Sequence, residues 1–577
     1  MGGRSYLSAS IEGMLILMGG FGLFLNAISR FGDGVQKIAG ERIRTILERQ
    51  AREPHASIFT GIGMAAALQS NVLTFGMISS LVNAGLLGLL PAIWIMLGVN
   101  LGLTITAHLM AINLGAISFL LLFIGFMLGF YGKKRNWHYI GQVLFNIGLM
   151  YLGFAILHQA FQILAANHIT LPIVKGIFEK PWLGFMIGLC LAALLRSSNT
   201  IVVFTQAVVG INLGLNSSIF LSGAIAIIIG ANVGTTIINM LVGLDRVPTA
   251  RKANWLHFSF NLSTGVGWLL LLPTMLLIVT SLSSHISYCF QWFEMSVFQW
   301  TIQVGSIGEN WFNIWQLAFA HTLFNITTIL IWFPVTLIAS KLQLPLFTET
   351  MKNTGNGKTY LDRRALQSPA LALILASHEI NHMAAITIDM LKSVRYAFFK
   401  GQVHLLDSVY RNEAIVDDLQ EQITFYLSAL LSQNSLTEAQ SHRLAGLLHA
   451  VSDIERVGDH ANNMAKLAEK KYQEQLPFSE LALNEIELFC GKAVDFYTKV
   501  IQALRENNME LAKQLENREE SIGKLEEELR QNHIHRLNQG KCWPGSGVVY
   551  VEVISNLERV AAHSANIVNV VLEEGEK

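Results

Sequence analysis

The chain has 577 residues, of which 52% are hydrophobic and 14% charged, and its basic and acidic side chains balance at 41 each. A net charge of +0, with Lys and Arg scattered over short loops, gives no electrostatic footprint for a nucleic-acid partner. The four cysteines (Cys190, Cys289, Cys490, Cys542) match no metal or disulfide spacing and read as ordinary thiols of a reducing compartment. Charge is segregated along the chain. No acidic residue lies between Glu53 and Glu179 or between Glu179 and Asp245, whereas charges recur every few residues from Asp362 onward. The first part therefore reads as membrane-embedded, and a soluble enzyme is excluded.

A hydrocarbon core of ~30 Å needs ~20 apolar residues per helical span. Residues 8–31, 119–131, 255–282 and 311–340 sit in stretches near or above that requirement. The first of these holds Glu12 and is followed by no small-residue cleavage site, so it reads as a retained span and not a signal peptide. Basic clusters at Arg42, Arg44, Arg49 and Arg52, at Lys133, Lys134 and Arg135, at Arg246, Arg251 and Lys252, and from Lys341 onward mark cytoplasmic ends. An even number of crossings must separate successive clusters. Each of the first two intervals holds about three apolar stretches, so one per interval is expected to be re-entrant or split into a hairpin. The candidates are residues 58–90 and 182–217, which are lightly charged and broken by Gly, Ser, Asn and Thr. Discontinuous segments at corresponding places in two halves point to a transporter binding site.

The two candidates belong to a repeat. Ala67-Leu68-Gln69-Ser70-Asn71, followed by Gly98-Val99-Asn100-Leu101-Gly102-Leu103-Thr104, returns as Leu195-Arg196-Ser197-Ser198-Asn199, followed by Gly230-Ala231-Asn232-Val233-Gly234-Thr235-Thr236. The copies are offset by about 130 positions. The first hairpin directly follows a cytoplasmic cluster, while one further span near 138–164 precedes the second, so the copies are expected to enter from opposite sides. These regions offer Ser, Thr, Asn, Gln and glycines but almost no carboxylates. Helix N-termini attract anions, and helix C-terminal carbonyls with hydroxyls suit a hard cation. An oxyanion moved with sodium fits that inventory; a sugar or an amino acid also remains open.

Beyond residue 340 the chain turns polar, and Asn353-Thr354-Gly355-Asn356-Gly357 reads as a flexible linker within 341–369. Val416, Leu419, Ile423, Tyr426 and Leu430 then form one apolar helical stripe. Roughly six helices are expected over 370–577, breaking near Gly401, Ser435, Pro477, Asn508 and Gly540. This part also repeats: Glu455-Arg456-Val457 with His460-Ala461-Asn462-Asn463 returns as Glu558-Arg559-Val560 with His563-Ser564-Ala565-Asn566. Two packed three-helix units would bury both stripes.

The paired Gln-Ser-Ser-type motifs and the Gly230–Thr236 run with its twin resemble the bacterial sodium/phosphate cotransporter family, and the C-terminal part resembles the PhoU-like domain often fused to it. The resemblance implies an all-α polytopic transporter in the bacterial cytoplasmic membrane. It implies a membrane part over 1–340 (repeats about 55–131 and 180–245) and a cytoplasmic PhoU-like domain over 370–577. It further implies inorganic phosphate as substrate, Na⁺ as coupling ion and no bond-making chemistry. Carried over by residue, the binding set is Gln69, Ser70, Asn71, Arg196, Ser197, Ser198, Asn199 and Thr200, joined by Asn100, Thr104, Asn232, Thr235 and Thr236. Two departures stand out: Asn71 interrupts the usual serine run, and Arg196 replaces the usual glutamine. Family PhoU-like repeats also carry Glu-x-x-x-Asp metal pairs. Here Glu413…Asp417 and Glu455…Asp459 keep the pattern, while Glu519…Gly523 and Glu558…Ala562 lose the aspartates. A divalent metal and a homodimer are both left open. The rival readings are a non-transporting phosphate sensor and a transporter of another oxyanion.

Overall fold

The computed structural model describes residues 2–283, 311–347 and 360–575, apart from positions 51, 52, 113, 115, 116, 169, 210, 212, 245, 346, 434 and 435. The described elements are helical throughout, and they divide into two compact units, Met1–Gly355 and Asn356–Lys577.

The first unit opens with the long helix α1 (Gly2–Gln50) and then a hairpin of α2 (Pro54–Leu68) and α3 (Asn71–Asn83). It continues with α4 (Leu89–Leu103), α5 (Ile105–Ala111), α6 (Ile117–Tyr131) and α7 (Arg135–Ala165). After α8 (Leu171–Glu179) comes the second hairpin, α9 (Pro181–Leu195) and α10 (Ser198–Val208), followed by α11 (Ser217–Val242). The unit closes with α12 (Pro248–Leu270), α13 (Leu272–Ser283) and α14 (Trp311–Lys341). Both stretches expected to be discontinuous are therefore broken helices.

The glycines of the repeated motif explain how each hairpin is held. A Cβ at Gly98 would lie 2.0 Å from the Ile58 carbonyl oxygen, and one at Gly230 would lie 2.0 Å from that of Phe185. The α2–α4 and α9–α11 pairs thus touch backbone to backbone, the close approach that small residues permit in membrane helices. Around them a core of Phe24, Met150, Phe154, Ile201, Ile228 and Phe324 joins α1, α7, α10, α11 and α14.

Residues 255–282 do not form a single straight span, because α12 and α13 meet at 86°. The chain turns at Leu271, and Pro273 in the first turn of α13 has no N–H to continue the ladder. Hydropathy alone cannot register such a bend.

The second unit contains α15 (Pro369–Lys400), α16 (Leu406–Leu431), α17 (Glu438–Gln473), α18 (Glu480–Glu506), α19 (Met509–Leu515), α20 (Arg518–Asn538) and α21 (Pro544–Gly575). The extra element relative to six is the short α19, started by Asn508 accepting from the Leu511 N–H at 3.0 Å. Helix α15 is apolar and long enough to cross a membrane by length and composition, yet its Ile380, Met383, Met390 and Leu391 belong to the core of this unit. Its partners there include Val416 and Ile423 of α16, Val457 of α17 and Phe496 of α18.

Candidate functional site

Each hairpin breaks at the residue the repeat marks. Gln69 ends α2 in the left-handed region (φ 49°), and Arg196 ends α9 likewise (φ 56°). The following serines cap the outgoing helices: Ser70 accepts from the Leu73 N–H at 3.3 Å, and Ser197 from the Thr200 N–H at 3.2 Å. Helix C-termini and N-termini thus alternate at both breaks.

The two breaks meet. Asn71, first residue of α3, donates from Nδ2 to Ser198 Oγ, first position of α10, at 3.0 Å. Thr106 of α5 makes a second link, donating to Gln69 Oε1 and accepting from Asn199 Nδ2 at 3.4 Å. All five side chains are buried. The Asn71 and Asn199 carboxamide oxygens have no hydrogen-bond partner, one in the first turn of each outgoing helix. Two buried, unpaired oxygens thus stand beside two converging helix N-termini, an arrangement that is costly for polar groups.

Arg196 lies differently. Its side chain is exposed and makes no hydrogen bond or ion pair with another described residue, whereas its counterpart Gln69 is tied to Thr106 and to the Ala66 carbonyl. Its positive charge stands at the negative end of α9. Thr200 turns its hydroxyl to Ser197 Oγ at 2.8 Å.

Asn100 and Asn232 are engaged by other helices. Asn100 Nδ2 donates to His257 Nε2 (3.0 Å) and to Asn261 Oδ1 (3.1 Å) on α12, and Asn232 Oδ1 lies 3.1 Å from His321 Nε2 on α14. Asn261 and Asn325 each donate back to the carbonyl of the histidine one turn earlier, at 2.9 Å. Thr104, Thr235 and Thr236 bond to carbonyls of their own helices. The structure therefore brings together Gln69, Asn71, Ser198 and Asn199, while Asn100 and Asn232 are hydrogen-bonded to α12 and α14.

Thr106 and the two histidine–asparagine pairs escaped the sequence reading. A signal for the latter existed, since His257-x-x-Phe260-Asn261 and His321-x-x-Phe324-Asn325 repeat the same spacing. Thr106 had none beyond proximity to Thr104. Helix α5 is in fact a crossroads: Gln206 Nε2 donates to the Ala107 carbonyl at 3.1 Å, and His108 Nε2 lies 2.7 Å from Thr322 Oγ1.

In the second unit the ligand atoms of Glu413, Asp417 and Asp459 lie within 4.8 Å of one another. Burial first, and then the neighbouring Asp459 carboxylate, raise the Asp417 carboxyl above its ordinary range. Burial and Asp459 raise Glu455 in the same way. Asn462 Nδ2 donates to Glu413 Oε1 at 3.0 Å, while its buried Oδ1 has no partner. At the rim, Arg456 reaches Asp459 at 3.4 Å and Glu455 at 3.8 Å. An orphan carboxamide oxygen beside three carboxylates is a donor set that fits a hard divalent cation.

Comparison with known proteins agrees with both halves. The family model described as Na+/Pi-cotransporter matches twice, over residues 23–159 and 153–298, and the PhoU domain model matches over 380–468 and 486–571. The chain carries Na+/Pi-cotransporter domains joined to a PhoU domain. Relatives with the same architecture are the proteins named "Putative inorganic phosphate export protein YjbB" of Salmonella typhimurium and Escherichia coli K12. Each is 23% identical over 546 residues, covering 94% of both chains. The uncharacterized Bacillus subtilis protein YqeW is 25% identical over 262 residues, 43% of this chain and 78% of its own. Among solved structures, PhoU from Streptococcus pneumoniae matches at 16% identity with a TM-score of 0.33, covering 36% of this chain and 96% of that one.

Proposed function

We propose that this multi-pass membrane protein moves inorganic phosphate across the cytoplasmic membrane by alternating access, coupled to Na⁺ and modulated by a PhoU domain on the cytoplasmic side. The observation that carries the reading is the Asn71–Ser198 contact between the two broken helices, flanked by the unpaired Asn71 and Asn199 oxygens. The converging N-termini of α3 and α10 supply partial positive charge to an oxyanion, which a site without carboxylates does not repel. Carboxamide oxygens, serine hydroxyls and the carbonyl ends of α2 and α9 supply the hard donors that Na⁺ takes. The two copies enter the membrane from opposite sides, so either break can face either compartment. Phosphate transport is the activity the family supports, and export is the direction named for the full-length relatives.

In the PhoU domain, Glu413, Asp417, Glu455 and Asp459 would hold a divalent cation, whose charge would neutralise carboxylates that now repel one another.

The deciding measurement is radiolabelled phosphate flux in proteoliposomes, loaded inside or supplied outside, with and without a sodium gradient. Sodium-dependent flux of phosphate in either direction supports the reading. Flux of sulfate or arsenate in preference to phosphate would assign another oxyanion. No flux from folded protein that still binds phosphate would make it a sensor.

A further inference from the structure

The PhoU domain repeats itself, but its halves treat their carboxylates differently. In the first half, Glu413, Asp417 and Asp459 converge beside the orphan oxygen of Asn462. In the second half Gly523 stands in the place of Asp417 and Ala562 in that of Asp459. The space is available, because nothing lies within 4 Å of a Cβ at Gly523. Crowding at the Cβ position therefore does not account for the loss of the aspartate at 523.

What fills the role is on the same helix. Glu519, Gly523, Glu526 and Arg530 fall at steps of four, three and four along α20, which puts them on one face. Glu526 is only 8% exposed, and a carboxylate buried to that degree is costly unless it is paired. Arg530 pairs it through two donors, Nε at 2.9 Å and Nη2 closer still, both on Oε1. Across the interface, Glu558 of α21 faces the same group. Burial and Glu526 push its carboxyl up, while the Arg559 and Arg530 guanidiniums pull it down. Arg559 is the repeat partner of the rim residue Arg456, so Arg530 is the charge that this half has in addition. A guanidinium stays charged at every physiological pH and needs no supply from solution.

We propose that Arg530 is a built-in cation in the second half of the PhoU domain, standing in for a divalent metal, so that the chain takes metal in its first half alone. The one-site stoichiometry rests on the first-half metal reading; the role of Arg530 does not.

The test uses the full chain in nanodiscs with Mn²⁺ as the probe, counted by electron paramagnetic resonance. Wild type should hold one Mn²⁺ per chain and Asp417→Asn none. On the Asp417→Asn background, Arg530→Met should accelerate amide exchange in peptides from 518–538 by about tenfold, and Mn²⁺ should reverse that acceleration. Arg530→Lys, which keeps the charge, should exchange like the parent. Two Mn²⁺ per wild-type chain would overturn the proposal. So would exchange unchanged by Arg530→Met, or acceleration that Mn²⁺ does not reverse. Should wild type bind no Mn²⁺ while Arg530→Met becomes Mn²⁺-reversible, the first-half metal reading fails and Arg530 as substitute cation stands.

Discussion

Replacing Thr106 with valine keeps the shape of the side chain and removes one hydroxyl. That hydroxyl is the group joining Gln69 of the first copy to Asn199 of the second. Two interhelical hydrogen bonds are lost. Each is worth ~0.6 kcal/mol on average and up to ~1.7 in membrane proteins, for a total of roughly 1.2–3.4 kcal/mol. At ~1.4 kcal/mol per tenfold, this spans about 10- to 300-fold in an equilibrium. The Asn199 contact, at 3.4 Å, is at the long end, which places the expectation in the lower part, about 10- to 50-fold. The assay is phosphate flux in proteoliposomes as a function of sodium. Thr106→Val should raise the half-saturating sodium concentration by that factor, and Thr106→Ser should stay near wild type. A Thr106→Val protein whose sodium and phosphate dependences both stay within twofold of wild type would refute the idea that this hydroxyl organises the site.

Arg196→Gln restores the residue of the first copy. If the guanidinium stands in for a cation at the end of α9, flux should persist with a steeper sodium requirement; collapse of phosphate affinity at every sodium concentration would make it the anion's own clamp instead. Gly98→Ala, which drives a methyl into the Ile58 carbonyl, should abolish folded protein, whereas Gly76→Ala, with nothing within 4 Å, should be neutral or stabilising by about 0.5–1 kcal/mol; equal yields and melting temperatures for the two would contradict the backbone contact. In the PhoU domain, burial and then Arg536 hold His533 below its ordinary range, with Glu485 acting against them. The unfolded chain then takes up the proton first, so stability should fall as pH drops from about 6.5 towards the lower folded value. His533→Gln should flatten that slope in denaturation series between pH 7.5 and 5.5, and identical slopes would exclude the histidine as its source.

The breaks at Gln69 and Arg196 were legible because three independent signals coincide there: an odd number of apolar stretches between basic loops, polar interruptions, and a repeated motif. Which residues of the motif approach each other was not legible. Asn100 and Asn232 stood beside Asn71 and Ser198 in the candidate set, since an amide serves helix contact and ligation equally well. Only the packing shows which of them meet across the two copies. Thr106 is invisible for another reason: its role comes from tertiary packing, which sets α5 against Gln69 and Asn199. The bend at Leu271 leaves hydropathy untouched. In the PhoU domain, the missing aspartates were plain in the sequence, but their replacement by Arg530 was not, because it sits seven residues beyond Gly523.

The glycine seams also bear on mechanics. Where α2 lies against α4, and α9 against α11, there is no layer of side chains that could exchange one set of rotamers for another. Each pair must travel as a plank. Sliding has to occur along surfaces lined by side chains, and the meeting of the two breaks is such a surface, with the Asn71–Ser198 bond and the Thr106 link to release and re-form. The histidine–asparagine pairs on α12 and α14 then act as cleats, His257 tying α12 to α4 and His321 tying α14 to α11. A molecule built this way changes shape in whole parts, so its cycle is expected to be a short series of discrete postures and not a continuous flexing.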